Sequence, residues 1–378
     1  MKVAIAVGGG GHFSPALAVI NEMPKDWEIL LIGRKHAFEE DQTISLEYQT
    51  AERLGLPFAS LQTGRLQRNF SAQSIKSLLK VPGGIIHATK LLKDFKPDIV
   101  LSFGGYVAIP VALAAKAMNI PIVIHEQTLD AGVANKVVSK FADVVCISWE
   151  SSAKHFPKNK IALTGNPLRK EFIETVENLA SRSDHTKKTY PLLYITGGSG
   201  GAHAINYLVE QSLPKLLKKY RIIHQTGDAK AYGDFARLEA AQAQLDDEMQ
   251  KRYLPKKFIP SDKVAEILSE ADLVISRSGI NTVTELLYLG KPSLLIPLPH
   301  GQKDEQKTNA QFLESVGLGR MYEQADLTAE TFIEAVDTMI GSLSEYHHHA
   351  EKAREIVPTD ATDKIIRLLI TLHEATKR

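Results

Sequence analysis

Short apolar runs alternate with segments of helical period along almost the whole chain. Val3–Val7, Glu28–Ile32, Asp98–Phe103, Pro121–His125, Asp143–Ser148 and Lys160–Thr164 read as a first series of strands. Leu192–Thr196, Arg221–Gln225, Asp272–Ser276 and Pro292–Pro297 read as a second. The run Ile99-Val-Leu-Ser-Phe103 is apolar on both faces, as a parallel-sheet strand covered by helices on each side must be. Strand–helix alternation then predicts βαβ units in a doubly wound α/β architecture. The last segment, Asp360–Lys377, sets Ile365, Ile366, Leu368, Leu369 and Leu372 on one side of a helix, which must dock on another surface.

The chain has 378 residues. At roughly 150 residues per domain that is enough for two. A polar stretch, Ala180-Ser-Arg-Ser-Asp-His-Thr-Lys-Lys-Thr189, lies between the two strand series, and the boundary is expected slightly earlier, at Gly165-Asn-Pro-Leu168, where a strand ends. Lys and Arg number 45 against 44 Asp and Glu, which excludes a globally basic nucleic-acid binder. The single cysteine, Cys146, lies in the apolar run Asp143-Val-Val-Cys-Ile147 and reads as a small core residue in a chain suited to a reducing compartment. Met1-Lys2 precedes only five apolar residues, short of the roughly 7–15 of a secretion signal. The longest apolar stretch, Val107 to Ile124, is broken by Pro110, Lys116, Asn119 and Pro121, so any membrane contact is expected from the surface.

Three glycine turns each follow a strand and open a helix. The first is Val7-Gly-Gly-Gly-Gly-His12, with Ser14 expected at the N-cap and Pro15 at the first helical position. The second is Thr196-Gly-Gly-Ser-Gly-Gly-Ala202. The third is Ser276-Arg-Ser-Gly-Ile-Asn-Thr-Val-Thr-Glu285, whose helix should end at Gly290. Helix N-termini behind such turns suit anionic oxygens. Neither the dinucleotide fingerprint nor a P-loop is present: Gly33-Arg-Lys-His36 is not acidic, and no Gly-Lys-Ser/Thr follows the second turn. Thr282 and Glu285 share one face of the third helix. Two readings of Glu285 stand: a carboxylate for a vicinal diol such as ribose, or a first-turn acid complementing the helix dipole. All three turns fall where open α/β sheets bind ligands, beyond the carboxyl ends of the strands.

With these residues go Lys96-Pro-Asp98, Gly104-Gly-Tyr-Val107, His125-Glu-Gln127, Ala131-Gly132, Asn135-Lys136 and Gly165-Asn-Pro-Leu-Arg169. In the second half they are joined by Gly201-Ala202, Asn206, His224-Gln225, Arg277-Ser-Gly279, Gln306, Asn309-Ala310 and Asp360-Ala-Thr362. As an ordered set covering nearly the whole chain, they resemble the MurG family, UDP-N-acetylglucosamine transferases that act on undecaprenyl-diphospho-muramoyl-pentapeptide in peptidoglycan synthesis.

The resemblance implies a GT-B fold of two Rossmann-like domains facing across a cleft. Residues 1–165 would form the acceptor and membrane side, 166–356 would bind the UDP-sugar, and 357–378 would return as a helix onto the first domain. The reaction would be an inverting, single-displacement transfer of N-acetylglucosamine to the acceptor's 4-hydroxyl. By motif, Gly9, Gly10 and Gly11 would face the sugar and diphosphate, and Ser199 would contact the diphosphate. Ile259 would lie against uracil, Ile280, Asn281, Thr282, Val283 and Thr284 would line the nucleotide, and Glu285 would hold the ribose. Gln306 would contact the sugar, Thr128 would stand at a donor contact, and Arg169 would sit near the donor. Tyr106 and Glu126 fall on the acceptor side. His12 is the candidate base, or else a residue that binds acceptor or positions its loop. Glu126 is the competing carboxylate, or else an N-cap or salt-bridge residue. No cofactor and no metal are expected: the chain lacks an Asp-x-Asp pair, and His347-His-His349 on a helix would point in different directions.

The chain departs from the family at Val7, for a usual glycine; at Thr128, for a usual Asn; and at Gly200, for a common Gln. Between Gly64 and Lys96, seven basic residues (Arg65, Arg68, Lys76, Lys80, Lys90, Lys93, Lys96) face one acid, Asp94, a net charge of +6. Ile75, Leu78, Leu79, Ile85 and Ile86 add apolar surface around a tip at Pro82-Gly83-Gly84. Lys76, Leu79, Lys80 and Ile85 are therefore candidates for peripheral contact with an anionic membrane, on the cytoplasmic face; the alternative is a solvated basic face over a buried stripe. The rival functions are a related GT-B transferase with another UDP-sugar or lipid, a UDP-N-acetylglucosamine 2-epimerase, and a non-catalytic nucleotide-sugar binder.

Overall fold

The computed structural model describes residues 1–36, 44–61, 63, 81–180, 189–198, 200–229, 231–299 and 304–377. They form two compact units, Met1–Arg169 with Pro358–Arg378, and Lys170–Val357.

The first unit is built on a seven-stranded parallel sheet. Its strands are β1 (Lys2–Ala6), β2 (Glu28–Gly33), β3 (Phe58–Ser60), β4 (Ile99–Ser102), β5 (Ile122–Glu126), β6 (Val144–Ile147) and β7 (Ile161–Leu163), in the order β3-β2-β1-β4-β5-β6-β7. β1 lies between β2 and β4, with Val3 opposite Ile29 and Ile99. Alternation along β1 feeds two cores. Val3 and Ile5 pack on one face with Phe13, Leu31 and, from the last helix Ala361–Thr376, Ile365, Ile366 and Leu369. Ala4 and Ala6 pack on the other with Val111 and Ala112 of helix Ala108–Ala117. The apolar stripe read from the terminal segment is thus the lid of one core.

The second unit repeats the plan with six parallel strands: β8 (Leu192–Thr196), β9 (Arg221–Gln225), β10 (Tyr253–Lys256), β11 (Leu273–Ser276), β12 (Ser293–Leu295) and β13 (Gly319–Met321). Their order is β10-β9-β8-β11-β12-β13. In both sheets the order reverses beside the first strand, at β1/β4 and at β8/β11, which is where such sheets place their ligands.

Three differences from the sequence reading have physical causes. β3, β10 and β13 were not anticipated. Each is an edge strand of three or four residues, half-open to solvent, and β10 carries Pro255, which a sheet edge tolerates. The first helix starts at Gly10 with Gly9 as its N-cap, so Ser14 and Pro15 lie inside it. The carbonyl of Gly9 already accepts from His12 N (2.9 Å) and Phe13 N (3.1 Å), which begins the helix earlier than expected. Pro82-Gly83-Gly84 is no apolar tip but the first turn of helix Val81–Phe95, where proline needs no N–H partner. Cys146 is fully buried, and burial pushes its thiol up to about 12.

Candidate active site

In the first unit the glycine turn after β1 packs backbone to backbone on the turn after β4. A Cβ at Gly8 would lie 2.3 Å from the Gly105 Cα, so neither position tolerates a side chain. Gly9 takes φ +132°, and a Cβ there would meet the Arg34 guanidinium at 3.3 Å. Arg34, at the end of β2, also stacks over the Tyr106 ring at 4.6 Å. Gly10 and Gly11 form the first turn of the helix, and His12 follows half-buried.

Burial is the largest influence on the His12 imidazole and lowers its pKa below the ordinary 6.5. The Glu126 carboxylate, the Phe103 carbonyl and the Gln127 side chain pull it back up, and the Arg34 charge lowers it further. His12 is therefore neutral at pH 7, the state a base needs. Its Nδ1 lies against the Gln127 side-chain amide. His125 is fully buried, with Nε2 between the Gly165 carbonyl (3.1 Å) and the Ser148 hydroxyl (3.2 Å), and burial lowers its pKa to about 4.

Glu126 lies among hydrogen-bond donors of its own segment. It is 1% exposed, and its carboxylate accepts from Thr128 N (3.0 Å), Thr128 Oγ1 (2.6 Å), Gly132 N (2.9 Å) and Asn135 Nδ2 (3.0 Å). It is the hub that folds residues 126–135 after β5. Thr128 is turned the same way, with its hydroxyl against Glu126 and the Asp130 carbonyl, so its side chain belongs to the hub. Of the residues expected at a membrane surface, Ile85 is half-buried, Ile86 is 73% exposed, and Lys90, Lys93 and Lys96 are exposed. Lys76, Leu79 and Lys80 lie outside the described residues. No described helix is long and apolar enough to cross a membrane.

In the second unit, the glycine turn after β8 packs against the end of β9: a Cβ at Gly201 would lie 2.0 Å from the Thr226 carbonyl oxygen. Ser199 lies outside the described residues. Gln225, at the end of β9, donates to the Gly198 carbonyl (3.1 Å) and accepts from Ile259 N (3.1 Å), joining that turn to the residue expected at uracil. Helix Ile280–Leu289 ends at Gly290 in the left-handed conformation. Ile280, Val283 and Thr284 are buried, and the Thr284 hydroxyl donates to the Ile280 carbonyl (2.8 Å). Their side chains belong to the interior; Asn281, Thr282 and Glu285 are the half-buried ones of this segment. Gln306 accepts from Leu298 N (2.9 Å) through its side chain and from Ser278 Oγ (2.7 Å) through its carbonyl. Arg277 braces the same edge, donating to Ile296 O (3.0 Å), Pro297 O (2.9 Å) and Gln324 Oε1 (2.7 Å). Arg169 is half-buried and is the last residue of the first unit before the chain crosses. Among the described residues no group of three or more His, Cys, Asp or Glu is placed to hold a metal ion.

Sequence reasoning passed over Arg34, Gln127 and Gln225. The last two stood in recognised motifs without a role, and Arg34 was weighed only as a non-acidic residue after β2.

The glycosyltransferase family 28 N-terminal domain pattern matches residues 3–147, and the family 28 C-terminal domain pattern matches residues 192–363. A Bacillus cytotoxicus protein named UDP-N-acetylglucosamine–N-acetylmuramyl-(pentapeptide) pyrophosphoryl-undecaprenol N-acetylglucosamine transferase is 31% identical over 98% of this chain and 98% of its own. The crystal structure of Acinetobacter baumannii MurG superposes with a TM-score of 0.71 at 27% identity, covering 98% of this chain and 99% of the other. The UDP-GlcNAc 2-epimerase of Neisseria meningitidis, at 17% identity, TM-score 0.62 and coverage of 98% and 100%, shares the fold. With both domains matched in order and curated relatives alike from end to end, the chain belongs to the MurG family of glycosyltransferases, family 28.

Proposed function

We propose that this protein transfers N-acetylglucosamine from UDP-N-acetylglucosamine to the 4-hydroxyl of a lipid-linked muramoyl-pentapeptide. The observation that carries this is the end-to-end relation to transferases named for that reaction. The epimerase reading is not favoured, because that likeness concerns the fold alone.

The chemistry follows from the two constellations. The acceptor oxygen attacks the anomeric carbon as the bond from that carbon to the phosphate oxygen breaks, which inverts the centre. The hydroxyl proton passes to His12, neutral at the working pH and beside the first glycine turn. UDP leaves with an added negative charge. The turn around Ser199, with its helix N-terminus, and Arg169 offset that charge. Ile259 and the Gln225 bridge support the base, and Glu285 with Thr282 supports the ribose. The basic segment 64–96 would hold the protein at an anionic membrane surface on the cytoplasmic face, where such an acceptor resides.

The test is a transfer assay with UDP-N-acetylglucosamine and a short-chain lipid-linked muramoyl-pentapeptide, following UDP release and product mass. A product heavier by one N-acetylhexosamine is expected, and His12→Ala should lower kcat by about a hundredfold or more, the scale of general-base catalysis, with UDP affinity unchanged. UDP binding without product would discard the acceptor, and an undiminished kcat in His12→Ala would discard the base.

A further inference from the structure

A histidine base needs one ring nitrogen protonated and the other carrying its lone pair, and the partner of the first decides which is which. At His12 the partner of Nδ1 is the Gln127 side-chain amide. The two ends of an amide have the same shape, so either Oε1 or Nε2 can face the ring. With N–H donated to Nδ1, the neutral ring carries its proton on Nε2, and neither nitrogen can receive another. With Oε1 accepting from Nδ1–H, Nε2 holds the lone pair. We propose that Gln127 is the positioning residue for the base: its amide oxygen holds His12 by Nδ1–H and leaves Nε2 to take the acceptor's proton.

The surroundings make Gln127 suited to the task. It is 2% exposed; the structure sets its Nε2 against His12 Nδ1 and leaves the buried Oε1 without a hydrogen-bond partner among the described residues, and turning the amide end for end gives that oxygen the ring N–H. Its backbone carbonyl accepts from Trp149 Nε1 at 2.9 Å. Its two neighbours, Glu126 and Thr128, are fixed in the carboxylate hub. The side chain is therefore aimed from a rigid segment. Its neutrality also matters. Glu126, Arg34 and His125 are the titratable or charged groups that act on His12, with the Phe103 carbonyl beside the ring. A second carboxylate in direct contact would raise the proton affinity of the ring and protonate it at neutral pH. An amide orients the ring without that effect. In the transfer step the acceptor proton goes to Nε2, and Nδ1–H stays on Oε1 throughout.

The inference rests on His12 being the base, and one set of measurements separates the two. The full-length protein and its Gln127→Ala and Gln127→Glu variants are assayed for kcat across pH 5 to 9, with UDP affinity from titration calorimetry. Gln127→Ala should lose about ten- to a hundredfold in kcat, the scale of removing a partner that orients a functional histidine, with UDP affinity unchanged. Gln127→Glu should move the acidic limb of the kcat profile to higher pH and recover activity above it. A folded Gln127→Glu variant whose acidic limb stays in place overturns the inference, even where Gln127→Ala fails to fold. If His12→Ala abolishes turnover while both Gln127 variants behave as the parent, the base stands and the positioning role falls.

Discussion

Replacing Glu126 by alanine tests whether this carboxylate builds the loop or does chemistry. Four donors converge on it, and they are not equally dependent. Asn135 Nδ2 still reaches the His125 carbonyl at 3.0 Å, and the Thr128 hydroxyl still reaches the Asp130 carbonyl. The N–H groups of Thr128 and Gly132 are left without their acceptor. Gly132 is exposed, so water can replace the acceptor of its N–H; the buried Thr128 N–H cannot be so rescued, and stranding it costs about 1–3 kcal/mol, with about 2 kcal/mol as the central figure. The chain has two tryptophans, Trp27 and Trp149, and both lie in the first unit. Tryptophan fluorescence in urea therefore reports that unit. With a slope of about 2 kcal/mol per molar urea, the midpoint should fall by about 1 M. UDP affinity, which the proposed function places in the second unit, should not change. A midpoint equal to the parent's, with turnover lost, would refute the structural role and return Glu126 to the chemistry.

Acid should weaken the first unit in a defined window. His125 has a folded pKa of about 4 against the ordinary 6.5, so the unfolded chain takes up its proton first as pH falls. The stability this neutral histidine permits is complete above about pH 6.5 and is lost on the way down to about 4, by about 3 kcal/mol; urea midpoints that agree at pH 7 and pH 4.5 would contradict this. Glu285→Ala should weaken UDP binding by about 1–3 kcal/mol, the scale of losing a charged hydrogen bond, and calorimetry showing no change would remove it from the ribose. Lys76, Lys80 and Lys90 changed together to Glu should abolish co-sedimentation with anionic vesicles; undiminished binding would show that the basic segment is a solvated face.

The parts of the fold legible in the sequence were those with a single physical reading. β1, β4, β5 and β8 are buried on both faces, so their apolar runs are continuous. The helix end at Gly290 was visible because only the left-handed conformation explains a glycine there, and the terminal helix because five apolar residues fall on one side. The edge strands lacked such a pattern. β10 alternates buried Tyr253 and Pro255 with exposed Leu254 and Lys256, and a proline in four residues argues against a strand unless the edge is known. The site divides in the same way. Glycines forced by backbone contact, such as Gly8 against Gly105, announced the turns. Glu126 did not announce its role, because a carboxylate that collects four donors and one that takes a proton are the same letter. Gln127 acts through one side-chain contact and Gln225 through two, which leaves no periodic trace.

His12 shows how closely the hub and the chemistry are joined. Desolvation lowers its proton affinity, Glu126 opposes that from one side, and Arg34 reinforces it from beside Gly9. Glu126 therefore acts on the proposed base twice, by fixing the segment that carries Gln127 and by its charge. The two effects bear on different observables. Loss of the fixed segment lowers turnover at every pH, whereas loss of the charge moves the acidic limb to lower pH, because the ring then gives up its proton more easily. Arg34 is the opposite case, since it touches the turn through its guanidinium and bears on the base through charge, so its neutralisation moves the limb to higher pH. A site with two opposed charges around a desolvated imidazole keeps the ring neutral near pH 7 without forcing its affinity so low that it could no longer accept a proton from a sugar hydroxyl in the transition state.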